Sequence, residues 1–222
     1  MAVLIAIPLV DGFTALDAVG PYEVLSRLPE ARVVFVAAEA GPVRAETRML
    51  SLVAEQSLED IPDPDIICVP GGLGTRRHLS DSVLLNWLRA ADENSTWTTS
   101  VCTGALLLGA AGLHEGKRVT THWIELPRMN EFAAIATDER VVFDGKFVTS
   151  AGVSSGIDMA LALGARIAGE DWAKTVQLMI EYDPHPPFDS GSWQKADVET
   201  VRNLRAAAAA GGLDLSPDEA GT

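Results

Sequence analysis

Only two cysteines, Cys68 and Cys102, occur among the 222 residues. Two thiols build no disulfide framework and are too few for a structural zinc site, so a reducing cytoplasm is expected and each cysteine is judged by its own surroundings. Basic residues are scarce: 17 Lys and Arg face 31 Asp and Glu, a formal net charge of −14. Nucleic-acid phosphates and anionic membrane surfaces both require clustered cations, so the charge argues against either partner. No apolar run approaches the roughly 18 residues of a membrane span. The apolar opening, Met1 to Val10, has neither a preceding basic segment nor a following small-residue cleavage site, and reads as a buried first strand. What is present is an ordinary soluble composition, 47% hydrophobic and 22% charged, enough for one substantial core.

Short β-branched runs alternate with helix-length segments. Val3 to Val10, Arg32 to Ala37, Asp65 to Val69, Thr96 to Val101 and Phe147 to Ser150 read as strands, the first apolar throughout as a strand covered on both faces should be. Ala18 to Ser26, Ser82 to Ala91, Thr103 to Ala111, Ser154 to Ala168, Asp171 to Glu181 and Lys195 to Ala210 read as helices. Pro42 to Ala54 and Glu139 to Phe147 read as hairpins, the second turning at Asp144-Gly145. The alternation predicts a flavodoxin-like, doubly wound α/β fold with a mostly parallel sheet and helices on both faces. A single domain over 1–210 is expected, followed by a disordered tail over 211–222.

Ligands of open α/β sheets bind at the carboxyl ends of the strands. Cys102 falls where a strand ends and the small-residue helix Thr103-Gly104-Ala105 begins. A sharp turn there exposes the side chain, and a helix N-terminus lowers a thiol pKa, which points to a nucleophile rather than a small buried hydrophobe. Cys68, inside Ile66-Ile67-Cys68-Val69, reads as core packing. The loop Pro70-Gly71-Gly72-Leu73-Gly74 follows that strand; Gly71 and Gly72 are either oxyanion-type N–H donors or a plain turn. It lacks the Lys-Ser/Thr of a P-loop and the Rossmann spacing. Asp17 is either the N-cap of the first helix or a carboxyl beside the thiol, kept protonated enough to act as an acid. Glu23 reads as a helix-face charge. His122, in Thr120-Thr121-His122-Trp123, reaches the site or serves structure; His78 reads as a helix-start residue, and His114 and His185 as loop residues.

With Gly71-Gly72-Leu73-Gly74, Cys102-Thr103-Gly104, Thr120-Thr121-His122-Trp123 and Ser150-Ala151-Gly152-Val153-Ser154-Ser155-Gly156-Ile157-Asp158 in this order, the chain resembles the ThiJ/PfpI superfamily, the class I glutamine amidotransferase-like fold, over about residues 2 to 195. Within it, Asp17 with Gly20-Pro21 and the segment Glu181-Tyr182-Asp183-Pro184-His185-Pro186-Pro187-Phe188 resemble the isocyanide (isonitrile) hydratases. That resemblance implies a cofactor-free, metal-free homodimer adding water to an isocyanide to give an N-substituted formamide. It implies attack by Cys102, acid catalysis by Asp17, Thr103 and Gly72 beside the site, and His122 as a neighbour of the cysteine. PfpI-type proteases carry His where this chain has Thr103, which weakens a protease reading. The basic helical pair of related transcription regulators is not seen. Two alternatives stay open: an amidase or glyoxalase-type hydrolase, which would need a histidine working with the thiol, and a redox or stress sensor built on a low-pKa cysteine.

Overall fold

The computed structural model describes residues 3–210; the predicted tail lies outside them. The described residues fall into two compact units divided between Glu181 and Tyr182. In the first, the strands are β1 (Val3–Pro8), β2 (Ala31–Ala37), β3 (Gly41–Arg44), β4 (Ser51–Ala54), β5 (Gln56–Ser57), β6 (Ile66–Val69), β7 (Trp97–Val101), β8 (Arg118–Val119), β9 (Ile135–Ala136), β10 (Val141–Asp144) and β11 (Phe147–Ser150). The helices are α1 (Ala15–Leu25), α2 (Ser82–Asn94), α3 (Gly104–Ala110), α4 (Ser155–Ala168) and α5 (Glu170–Met179), with 3₁₀ stretches at Leu73–His78 and Trp123–Phe132. The second unit carries α6 (Val198–Ala210), shorter at its start than the helix expected from Lys195.

Seven strands form the main sheet in the order β10-β11-β7-β6-β1-β2-β5. All neighbours are parallel except β10 and β11, the hairpin turned at Asp144-Gly145. The hairpin expected over Pro42 to Ala54 forms as β3 and β4, outside that sheet. From β1 the chain moves outward through β2 and β5, then crosses back to build β6, β7 and β11 on the other side. The order therefore reverses between β1 and β6, and a crevice opens beyond the carboxyl ends of the strands there.

The two faces follow from the two-residue period of a strand. Ile5, Ile7, Ile66 and Cys68 join Ala18, Val24 and Leu25 of α1 and Met159, Ala160 and Leu163 of α4 in one core cluster. Ala6, Ile67 and Val69 point the other way, against Leu84 and Leu88 of α2 and Leu107 and Leu108 of α3. Burial on both faces accounts for the unbroken apolar runs of β1 and β6. Cys68 is fully buried, and burial pushes its thiol up to about 12, consistent with packing alone. Glu23 is the helix-face charge expected, paired with Arg27 one turn on.

Three expectations need correction. Thr14, not Asp17, occupies the N-cap position of α1, so Asp17 lies inside the first turn with its carboxyl free for other partners. His78 ends a 3₁₀ stretch and bonds Asp81, which itself caps α2 through Val83 and Leu84 N–H. His114 is fully buried, edge-on to Phe147, because the loop after α3 folds inward beneath the β10–β11 hairpin.

Candidate functional site

Asp17 follows β1, the Gly71-Gly72 loop follows β6, Cys102 follows β7 and Val153 follows β11, so four strand ends converge at the reversal point of the sheet. Cys102 holds φ +55°, the left-handed region that a side-chain-bearing residue adopts only where its surroundings impose it. Those surroundings are visible. The Cys102 N–H donates to Ser150 O (3.1 Å) and Ala151 O (3.0 Å), and the Thr121 hydroxyl donates to Cys102 O at 2.7 Å. Gly104 completes the elbow: a Cβ there would lie 2.1 Å from Val69 O, so only glycine lets α3 begin this close to the end of β6.

Three successive N–H groups of the glycine loop are taken by protein side chains. Gly71 N–H donates to Asp17 Oδ2 (3.0 Å), Gly72 N–H to Thr103 Oγ1 (2.8 Å) and Leu73 N–H to Glu46 Oε2 (3.0 Å). Thr103 is further fixed by Thr75 Oγ1 at 3.1 Å. The loop reaches this position because Gly72 adopts φ +140°, where an added Cβ would lie 2.4 Å from Thr14 N and 2.5 Å from Gly12 O. The oxyanion-donor reading of Gly71 and Gly72 is therefore corrected. Their N–H groups hold the acid and the threonine in place and do not face a substrate oxygen.

Asp17 is completely buried, and its Oδ1 makes no hydrogen bond of ordinary geometry. Burial, with a smaller contribution from the charge of Glu46, raises its pKa from 3.8 to about 7 against the opposing pull of the Gly71 N–H and the Cys102 thiol. Asp17 and Cys102 thus lie close enough for each to shift the other's ionisation. The thiol itself is only 4% exposed. Burial and the Asp17 carboxylate push its pKa well up, against the N–H of Val153 and the N–H and hydroxyl of Thr103. The helix N-terminus does act in the expected direction, but desolvation and the neighbouring acid outweigh it. The two groups compete over protonation: a protonated Asp17 removes the carboxylate that opposes thiolate formation.

The Val153 N–H that reaches the sulfur comes from a residue at φ +30°, a rare conformation for a β-branched side chain. Glu46 carried no sequence signal of its own, and Val153 entered only within the Ser150–Asp158 motif. His122 sits beside this turn, with its ring packed against Gly152. Its Nδ1 accepts the Ile124 N–H at 3.3 Å, and burial lowers its pKa. It is a neutral wall of the site, with one nitrogen already engaged. Behind it, Glu125 is nearly fully buried and ion-paired with Arg76 and Arg128. His185 lies in the second unit, exposed and bonded to Asp183 O. A cavity of about 500 Å³ lined by Val10, Ala37, Val43, Leu58 and Leu84 opens over β1 and β2 and includes neither Cys102 nor Asp17. Among the described residues, no group of three or more His, Cys, Asp or Glu could hold a metal ion, and no helix is long and apolar enough to cross a membrane.

The model of the DJ-1/PfpI family matches residues 3–166. The chain belongs to the DJ-1/PfpI family. It is 43% identical to the isonitrile hydratase of Pseudomonas putida over 209 residues, covering 94% of this chain and 91% of that one. It is 30% identical to the Arabidopsis thaliana protein DJ-1 homolog A over 186 residues, 82% of this chain and 47% of that longer one. Among solved structures, a ThiJ/PfpI family protein from Pseudomonas syringae superposes with a TM-score of 0.91 at 34% identity, covering 95% of this chain and 87% of that one. The superfamily resemblance and the flavodoxin-like fold read from sequence are thereby borne out.

Proposed function

We propose that this DJ-1/PfpI protein is an isocyanide hydratase, converting R–N≡C and water into R–NH–CHO. The observation that carries the reading is a fully buried carboxyl, with one oxygen unpartnered and its pKa raised to about 7, set beside a buried cysteine thiol at the strand-to-helix elbow. The 43% identity to an isonitrile hydratase over nearly the whole of both chains supports it.

The chemistry follows from where charge develops. As Sγ of Cys102 bonds to the terminal isocyanide carbon, negative charge builds on that same carbon, which needs a proton rather than an oxyanion hole. Asp17, held by Gly71 N–H beside the thiol, delivers a proton to carbon while the thiol proton replaces it on the carboxyl. A thioimidate, Cys–S–CH=N–R, results. Water adds to its carbon, the C–S bond breaks with the sulfur regaining its proton, and nitrogen keeps a hydrogen. Atoms and electrons balance without an oxidant or reductant. Engagement of the glycine-loop N–H groups is consistent with this, because an acyl-transfer enzyme would need them for its oxyanion.

Other readings fit less well. A hydrolase needs a histidine base on the thiol, and His122 is partly buried, with Nδ1 turned to Ile124 N–H. A redox sensor needs an accessible, low-pKa thiol, and Cys102 is buried with its pKa raised. The proposal keeps the remaining expectations: a small-molecule substrate, a homodimer, no cofactor and a cytoplasmic location. Its test is formamide release from a simple aryl or alkyl isocyanide, followed by chromatography. Wild type and Cys68→Ala should turn over alike, and Cys102→Ala should be silent. Normal turnover by Cys102→Ala would end the mechanism.

A further inference from the structure

The backbone of Cys102 is held on both sides, and one hold comes from a side chain 19 residues further along the chain. On the amino side, the Cys102 N–H lies between Ser150 O and Ala151 O. On the carboxyl side, Cys102 O accepts the Ala105 N–H at 3.3 Å and the Thr121 hydroxyl at 2.7 Å. The hydroxyl bond is the shorter of the two, and Thr121 and Cys102 are both buried, so water does not compete for it. The segment that carries Thr121 is itself tied down. The Thr120 N–H donates to Thr149 Oγ1 of β11 at 2.8 Å, and the Glu125 N–H closes a turn on His122 O at 2.8 Å.

A peptide unit is planar, so a carbonyl and the N–H of the following residue turn together. The unit pinned through Cys102 O carries the Thr103 N–H, one of the groups that favour an ionised Cys102 sulfur. Gly71 leaves room for it: a Cβ there would lie 2.4 Å from Thr103 N. Without the hydroxyl, this carbonyl would keep the long bond from Ala105 N–H, and Cys102 at φ +55° would be freer to relax toward the right-handed region. We propose that Thr121 is a positioning residue of the reaction: by holding the Cys102 carbonyl it fixes the peptide unit between Cys102 and Thr103, and with it the direction of the thiol. The inference rests on Cys102 being the nucleophile, as proposed above. A bare structural bond would stabilise the fold, whereas a positioning bond sets where the sulfur stands.

Thr121→Val matches the side chain in shape and removes the hydroxyl; Thr121→Ser keeps it. Formamide production gives kcat and KM, and carbon-13 NMR of cysteine-labelled protein reads the Cys102 backbone without turnover. The two cysteines give two sets of signals, with Cys68 as the internal reference. In a folded Thr121→Val protein, kcat should fall roughly ten- to a hundredfold, the cost of a misplaced reacting group, with KM little changed. The Cys102 Cα and Cβ signals should move while those of Cys68 stay. Thr121→Ser should recover most of kcat and return the Cys102 signals towards wild type. Thr121→Ala repeats both measurements if the valine variant does not fold. An unchanged kcat or an unmoved Cys102 signal in a folded variant lacking the hydroxyl overturns this proposal alone, as does an equal loss in Thr121→Ser. Absence of formamide with wild type overturns the hydratase reading, while a displaced Cys102 signal in Thr121→Val still supports the placement of the thiol.

Discussion

Replacing Asp17 by Asn should make the protein more stable above neutral pH while removing its activity, and the size of the first effect follows from the structure. Asp17 is fully buried and titrates near 7 when folded, against an ordinary value of 3.8. Its folded-state pKa is raised, so the native chain binds more protons than the unfolded one between those values, and stability falls as pH rises through that window. Complete ionisation costs the native state about 4 kcal/mol at 1.36 kcal/mol per pKa unit, an upper figure because the proton is shared with Cys102. Roughly 2–3 kcal/mol of this develops between pH 5 and pH 8. Asparagine keeps an oxygen for the Gly71 N–H and cannot ionise. The assay is denaturant unfolding of wild type and Asp17→Asn at both pH values. The variant's advantage should grow by roughly 2–3 kcal/mol from pH 5 to pH 8, while formamide production falls on the order of 100-fold or more, as for a lost general acid. A gap between the two proteins that does not change with pH would refute the raised titration, and full activity in the variant would refute the acid.

Gly104→Ala should destabilise the chain by about 3 kcal/mol or more in denaturant unfolding, because the new Cβ would lie 2.1 Å from Val69 O. A loss under about 1 kcal/mol would mean that the elbow can open without strain. His114 is buried with neither ring nitrogen in a hydrogen bond of ordinary geometry, and burial lowers its pKa from 6.5 to about 4. The native chain therefore binds fewer protons, and this residue's contribution to stability is lost as pH falls from about 6.5 towards 4. His114→Phe should be relatively more stable at pH 4.5 than at pH 7 when each is compared with wild type; an equal difference at both pH values would contradict the buried neutral ring.

Much of this was readable in the chain. The unbroken apolar runs around Ile5-Ala6-Ile7 and Ile66-Ile67-Cys68-Val69 required strands covered on both faces, and the helix-length segments between them required crossovers. Cys102 stood out for a local reason as well: it sits at a strand-to-helix junction with glycine two residues on. These features are set by neighbours in sequence, so sequence determines them. What Asp17 does was not local. An aspartate near the start of a helix reads equally as a cap or as an acid beside the thiol until the fold shows Thr14 in the cap position and the carboxyl turned to Gly71, 54 residues away. The Gly71-Gly72 loop likewise reads as a set of free donors until Asp17, Thr103 and Glu46 occupy it. The direction of the Cys102 pKa depended on tertiary structure for the same reason. The helix N-terminus that lowers it is visible in sequence, whereas the burial and the carboxylate that raise it come from strand ends brought together where the sheet reverses direction. Sequence alone determined that a thiol would stand at the end of β7. The tertiary structure decided that it would be buried against an acid.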